Sequence, residues 1–190
     1  MTRFLAALTL VALVSTAGCS RVDLATDLSV TDVITGWHYV GTVDGDGDGA
    51  AELNKMVPSV TFELSNASDD PISRVQLLVS FWQAGADGEI DSKQIEGIGA
   101  TALDPGTSTE PLLVRSDFGY TLAQPKEEMF DNQYFVDFVV KLFARSQGTL
   151  VPLGEFPVER RIIPSASTAS TPAATAPPAP ATAETPAATE

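Results

Sequence analysis

The sequence predicts an all-β protein, a sandwich of two antiparallel sheets, and three observations support that prediction. Apolar residues alternate with polar ones along several segments, which is the period of a strand that buries one face. Clusters rich in Gly, Pro, Asn and Asp separate these segments, for example at 66–71, 85–88 and 104–106. No long helical pattern lies between them, so the strands are expected to pack on one another.

The alternating segments place about seven strands along the chain. They lie near residues 28–42, 57–66, 73–84, 89–103, 108–116, 133–146 and 149–163. The apolar faces are clearest in three of these strands: Val60, Phe62 and Leu64; Val75, Leu77, Val79 and Phe81; Val136, Phe138, Val140, Leu142 and Ala144. The most helix-like piece is 124–130, which is short and begins beside Pro125, so one or two turns in a connection are expected there.

Four pieces of the chain resemble the bacterial FxLYD type of immunoglobulin-like domain. They are the strand and turn at 60–66, the strand at 72–81, the turn at Gly88 and the Leu-Asp-Pro-Gly turn at 103–106. The resemblance implies an immunoglobulin-like β-sandwich. It also implies an interaction or spacer module without catalytic activity.

The N-terminus reads as a secretory signal peptide over residues 1–18. Arg3 precedes an apolar stretch at 4–14, and small residues then lead to Cys19. The apolar stretch is shorter than the roughly 20 residues that span a bilayer. The segment resembles the lipobox of bacterial lipoproteins, which implies that Cys19 becomes the acylated, membrane-anchored mature N-terminus. Ser20 follows Cys19, and in that family this implies the outer membrane, facing the periplasm.

The alternative for Cys19 is a stray thiol, because a disulfide within the chain would need a second cysteine and there is none. A short tether is expected over 19–27 and the sandwich over 28–164. The remaining residues, 165–190, contain only Ala, Pro, Ser, Thr and Glu. Such a composition cannot bury enough apolar surface to offset the entropy of ordering, which predicts a disordered Pro/Ala/Thr-rich tail.

The charge balance limits the possible partners. The chain has 11 Lys and Arg residues, 25 Asp and Glu residues, and a formal net charge of −14. Removal of the leader with Arg3 leaves 10 basic residues against 25 acidic ones, or −15. Nucleic acid needs clustered cations, so a nucleic-acid partner is excluded. The expected partners are a membrane, through the lipid anchor, and an envelope protein.

One acidic segment has the spacing of a calcium loop. Its candidate ligands are Asp44, Asp46, Asp48, the carbonyl of Ala50, and Glu52. An EF-hand is rejected because Lys55 stands at its twelfth position. The segment looks more like the loops between strands of FG-GAP-type repeats, which implies a structural Ca²⁺; the alternative is a solvated acidic turn. Calcium is the only cofactor that the sequence suggests.

An enzyme is not expected. His38 is the single histidine and lies on a predicted strand, and no nucleophile elbow or phosphate loop is present. Trp82, on the face opposite Phe81, is the candidate partner-binding residue. The 124–131 connection is a second candidate docking segment. The sequence thus favours a non-enzymatic binding or assembly module. A structural spacer or secretion-accessory lipoprotein and an envelope hydrolase are the alternatives.

Overall fold

A computed structural model describes residues 22–45, 52–146 and 148–164. Within these ranges the chain forms one short α-helix, α1 (Leu24–Asp27), a 3-10 turn (Met129–Asp131) and nine strands. The strands are β1 (Leu28–Asp44), β2 (Glu52–Asn66), β3 (Val75–Gln83), β4 (Glu89–Ile98), β5 (Leu112–Arg115), β6 (Tyr120–Leu122), β7 (Phe138–Ser146), β8 (Thr149–Pro157) and β9 (Ile162–Ile163).

The strands form two sheets, so the predicted all-β sandwich is confirmed. One sheet has the order β5-β2-β1-β9, with β6 also paired to β2, and the other has the order β4-β3-β7-β8. Every pair is antiparallel except β1 with β9. The chain fills the first sheet with its first, second, fifth, sixth and ninth strands and the other with its third, fourth, seventh and eighth.

The strand boundaries differ from the prediction where the chain must turn. The strand predicted at 108–116 is confined to β5 at 112–115, and a further strand that was not predicted, β6, follows Gly119. A Cβ at Gly119 would lie 2.0 Å from the carbonyl oxygen of Met56, so the backbone crosses β2 at a distance that only glycine permits. The strand predicted at 133–146 begins only at Phe138. Before it, the side chain of Asn132 accepts a hydrogen bond from the backbone N–H of Tyr134 and holds a turn.

Alternation produces the core as predicted, except at Val136, which lies before β7 and is 38% exposed. Leu77, Val79 and Phe81 are at most 1% exposed and face Leu64 and other apolar residues of the opposite sheet. The core also begins earlier than expected. Leu24 of α1 is only 8% exposed and belongs to it, so the ordered domain includes part of the segment predicted as a tether.

The strands give the sandwich two distinct ends. The N-terminal end holds Leu28, Asn66 and Val75, and the opposite end, which we call the hairpin end, holds the turn between β1 and β2. Nine-residue β7 runs between the two ends, from Phe138 to Ser146. At about 3.3 Å per residue, such a strand keeps features at its two ends well apart.

At the hairpin end, aromatic rings close the core. The cluster consists of Trp37, Tyr120, Phe130, Phe135 and Phe138. Trp37 is fully buried, with ring centres 4.9 Å from Phe135 and 5.4 Å from Phe138. Its indole nitrogen has no hydrogen-bond partner among the described residues.

At the N-terminal end, a buried amide closes the core. Asn66 is fully buried, and its side-chain nitrogen donates to the carbonyls of Asp70 and Leu103, each at 2.9 Å. Its side-chain oxygen accepts from the backbone N–H of Ser68 at 2.9 Å. This network fixes the turn that the sequence predicts at 66–71 and ties it to the Leu-Asp-Pro-Gly turn.

Candidate functional site

Trp82, the predicted partner-binding residue, lies on the outer face of the four-stranded sheet and is half-buried. Its indole N–H donates to the hydroxyl of Ser80 at 2.9 Å, so the ring lies back along its own strand. The ammonium of Lys141 lies 4.5 Å from the ring centre and covers it through a cation–π contact. Lys141 in turn pairs with Glu155 at 3.6 Å.

Other apolar side chains accompany Trp82 on this face. The register pairs Trp82 with Val139 and Leu78 with Phe143, and the pair Ser80 and Lys141 lies between them. We call Leu78, Trp82, Val139 and Phe143 the outer stripe, and all four are half-buried. The outer face of an antiparallel sheet in water is normally polar. A run of apolar residues along two central strands is therefore a candidate interaction surface.

The acidic segment lies at the hairpin end. β1 and β2 bring Asp44 and Glu52 into register as their last pair, so the two ends of the segment meet across the hairpin. Glu52 is exposed. Asp46, Asp48 and Ala50 lie outside the described residues, and the calcium site stays a prediction. Among the residues that are described, no group of three or more His, Cys, Asp or Glu side chains could hold a metal ion.

The connection proposed for docking, 124–131, is part of the core closure instead. Met129 is fully buried, and Phe130 packs on Trp37 with ring centres 6.3 Å apart. The Asn132 amide donates to the side-chain oxygen of Gln124 at 2.6 Å and draws the connection together. The expected short helical turn is present at Met129–Asp131. What this segment exposes is its acidic side chains, such as Glu127 and Glu128.

Sequence reasoning did not anticipate a polar clasp between the two sheets. Asp91 of β4 accepts hydrogen bonds from the Ser116 hydroxyl at 2.9 Å and the Asp117 backbone N–H at 2.8 Å. Lys93 reaches both Asp91, at 3.3 Å, and Asp117. Partial burial raises the pKa of the Asp91 carboxyl, but these hydrogen bonds and the Lys93 charge together outweigh it, so its pKa is lowered. The partners are distant in sequence, which is why no local pattern reveals the clasp.

His38 lies half-buried on the first sheet, on β1. Burial lowers the pKa of its imidazole, and the nearby charge of Arg115 lowers it further. Both causes favour the neutral ring. The register places His38 beside Val57 and Ile163.

Cys19 lies outside the described residues. No helix in the described part of the chain is long and apolar enough to cross a membrane. A scan of protein-family models finds none that matches this chain. A search of curated proteins finds no match either.

Proposed function

We propose that this protein is a bacterial envelope lipoprotein that acts as a non-enzymatic binding or assembly module. Cys19 carries the lipid and holds the sandwich at the outer membrane, facing the periplasm. The outer stripe binds an envelope protein. The FxLYD-like kinship of the domain belongs to this proposal, because it rests on the residues at 60–66, 72–81, Gly88 and 103–106 alone.

The outer stripe is the observation that carries the binding role. Burial of a half-exposed tryptophan and phenylalanine against a partner contributes far more to the free energy of binding than the surrounding polar contacts do. Aromatic anchors dominate interface energies. Ser80 and Lys141 already hold the Trp82 ring in place, so binding loses little side-chain freedom. A rigid, partly apolar face on a tethered domain suits a partner confined to the same membrane layer.

Site-specific photo-crosslinking in intact cells tests this role. A photoreactive amino acid replaces Leu78 in the stripe or, as the control, Glu63 of β2, on the other sheet. We expect a discrete adduct with one envelope protein from position 78 and none from position 63. Adducts of equal yield from both positions would contradict the proposal, as would no adduct from position 78, the outcome expected of a structural spacer.

Affinity measurement with the purified crosslinked protein then tests the stripe itself. Trp82→Ala should weaken binding by about 2 kcal/mol or more, roughly 30-fold, as expected for an interface anchor. The matched control is Phe118→Ala, since Phe118 is 58% exposed and lies between β5 and β6, off the stripe. Equal losses in the two variants would show that the stripe is not the binding surface. Thermal melting of both variants checks that they remain folded.

A further inference from the structure

The N-terminal end of the sandwich carries a cavity with an apolar floor and a basic rim. It has a volume of about 330 Å³ and is lined in part by Val22, Leu24, Ile72, Arg74 and Arg145. Leu24 and Ile72 are buried and form the floor, whereas Arg74 and Arg145 are exposed. The strand register brings these two arginines together, because Arg145 pairs with Gln76, two residues after Arg74.

These arginines differ from the other cations that the structure describes. Lys93, Lys126, Lys141, Arg160 and Arg161 all form ion pairs with Asp or Glu. Lys55 donates to a backbone carbonyl, and Arg115 is half-buried. Within the described ranges, Arg74 and Arg145 are the exposed guanidinium groups without an ion pair. On a chain with a net charge of −14, both lie at one cavity.

The backbone holds Arg74 in an unusual conformation. Its φ is +56°, in the left-handed region that residues with a side chain rarely adopt, and its N–H donates to the carbonyl of Gly99 at 2.8 Å. Such a conformation is unfavourable for a residue other than glycine. The surrounding contacts maintain it, and the guanidinium stays in solvent beside the cavity.

Several carboxylates lie near this cavity in the chain. Asp69 and Asp70 directly precede Pro71 of its lining, and Asp70 has an interaction of its own. Asp23 caps α1 by accepting from the Ala25 N–H, and Asp27 accepts from the Asp23 N–H. Glu96 lines a neighbouring cavity together with Arg74, and Arg145 does not line that cavity. Among the described residues neither Arg74 nor Arg145 forms an ion pair, so the rim of the cavity carries their positive charge.

The position of the cavity relative to Cys19 indicates which surface it contacts. Val22 lines it and follows Cys19 by three residues, a reach of at most about 11 Å when extended. A lipid on Cys19 would therefore hold these guanidinium groups at the level of the phospholipid headgroups. Guanidinium binds phosphate with two parallel hydrogen bonds, more specifically than a lysine does.

We infer that the N-terminal end is a membrane-docking surface on which Arg74 and Arg145 bind the phosphates of anionic phospholipids. This inference rests on the proposed lipid anchor at Cys19. Docking through this end directs the acidic remainder of the domain away from the anionic surface, which repels it. The hairpin end then points away from the membrane, and the outer stripe stands roughly upright beside it, open to a partner.

Chemical tethering tests this orientation without relying on lipidation by the cell. The chain from Cys19 to Glu190 is coupled through its single thiol to a maleimide lipid in vesicles. One set of vesicles is phosphatidylcholine alone, and the other also contains phosphatidylglycerol. The readout is the rate at which phenylglyoxal modifies each arginine, mapped by peptide mass spectrometry. Arg160 and Arg161, beyond β8 at the hairpin end, serve as internal controls.

We expect phosphatidylglycerol to slow modification of Arg74 and Arg145 several-fold and to leave Arg160 and Arg161 unchanged. Salt near 1 M should abolish the difference, because the screening length then falls to about 3 Å. Equal rates on the two vesicle types would overturn the inference. An equal slowing of all four arginines would overturn it as well, because it would show adsorption without orientation.

Two variants complete the test. Arg74→Gln should reduce the protection of Arg145, because the two groups share one surface. The double variant Lys55→Gln/Lys126→Gln removes charge from the hairpin end and should leave the protection of Arg145 intact. Loss of protection in this control would show that net charge alone is responsible for the protection. Because the tether is chemical, failure here leaves the cellular anchor untouched. That anchor is tested separately by fractionation of a Cys19→Ser variant.

Discussion

At its N-terminal end the sandwich is closed by a buried amide and rimmed by unpaired arginines, whereas at its hairpin end it is closed by aromatic rings and extended by an acidic segment. Both ends seal the same core. Asn66 does so with directional hydrogen bonds that fix two turns, and Trp37 does so with packed area. The difference gives the molecule a polarity, with one end suited to a phospholipid surface and the other to the aqueous space.

The largest expected effect is at the aromatic closure. Trp37→Ala should destabilise the domain by about 3–5 kcal/mol, because it leaves a cavity between the two sheets. Urea unfolding measures this as a fall in midpoint at unchanged slope. Tyr134→Ala is the control, since Tyr134 is 74% exposed, and it should change stability by less than about 0.5 kcal/mol. Similar midpoints for the two variants would refute the aromatic closure.

The second-largest loss of stability is expected at the amide closure. Asn66→Ala removes the amide's hydrogen bonds to the carbonyls of Asp70 and Leu103 and takes away the acceptor of the Ser68 N–H, at a cost of about 2–3 kcal/mol. The two carbonyls keep one other donor each, the Ser68 hydroxyl and the Ile72 N–H. Asn54 at the hairpin end offers the comparison, because it is half-buried and bonds Tyr39 and Gln124. Water can replace those bonds, so Asn54→Ala should cost about 1 kcal/mol. If Asn66→Ala and Asn54→Ala lower the free energy of unfolding in urea by the same amount, burial does not distinguish the two ends.

The clasp between the sheets adds a pH dependence. The Asp91 pKa is lower in the folded chain than its usual value of 3.8, so the carboxylate stabilises the fold above that pH. This contribution is lost as the pH falls through the folded pKa, because the unfolded chain takes up the proton first.

The free energy of unfolding of Asp91→Asn should therefore decline less than that of the wild type as the pH falls from about 5 to about 2. Ser116→Ala removes one donor to Asp91 and should move the wild-type decline to higher pH. Unfolding curves across this range provide the measurement. Parallel pH profiles for all three proteins would mean that the clasp contributes nothing.

The smallest effect is expected at the acidic segment. Calcium near 1 mM should stabilise the wild type by about 0.4–1.4 kcal/mol if the dissociation constant lies between about 10⁻³ and 10⁻⁴ M. Asp46→Ala/Asp48→Ala should abolish both the heat of calcium binding and the rise in melting temperature. Absence of heat and of any shift in the wild type would remove the calcium site and leave a solvated acidic turn.

The sequence was sufficient to predict the sandwich because the information is local. Alternation assigns Leu77, Val79 and Phe81 to the core, and turn chemistry identifies the bend at Asn66. The short strand β6 was not predicted, because its pairing with β2 and the close crossing of Gly119 depend on residues about 60 positions away. Long-range geometry of this kind leaves no periodic signal.

The candidate site was less predictable for the same reason. Alternation correctly placed Trp82 on the face opposite Phe81, but the cover of Lys141 over its ring depends on the register of β3 with β7. The structure also places Trp37 and Tyr120 together in the aromatic closure. The pairing of Arg74 with Arg145 around one cavity likewise follows from strand register, and neither arginine stands out in the sequence.

Fractionation of cells that express Cys19→Ser tests the central claim, that one end of this domain is held at a membrane, most directly. We expect the wild type to sediment with membranes and to yield an N-terminal peptide whose mass includes acyl chains. The variant should be released into the soluble fraction while keeping the same melting temperature as the wild-type domain. A folded Cys19→Ser protein that still sediments with membranes would contradict the account.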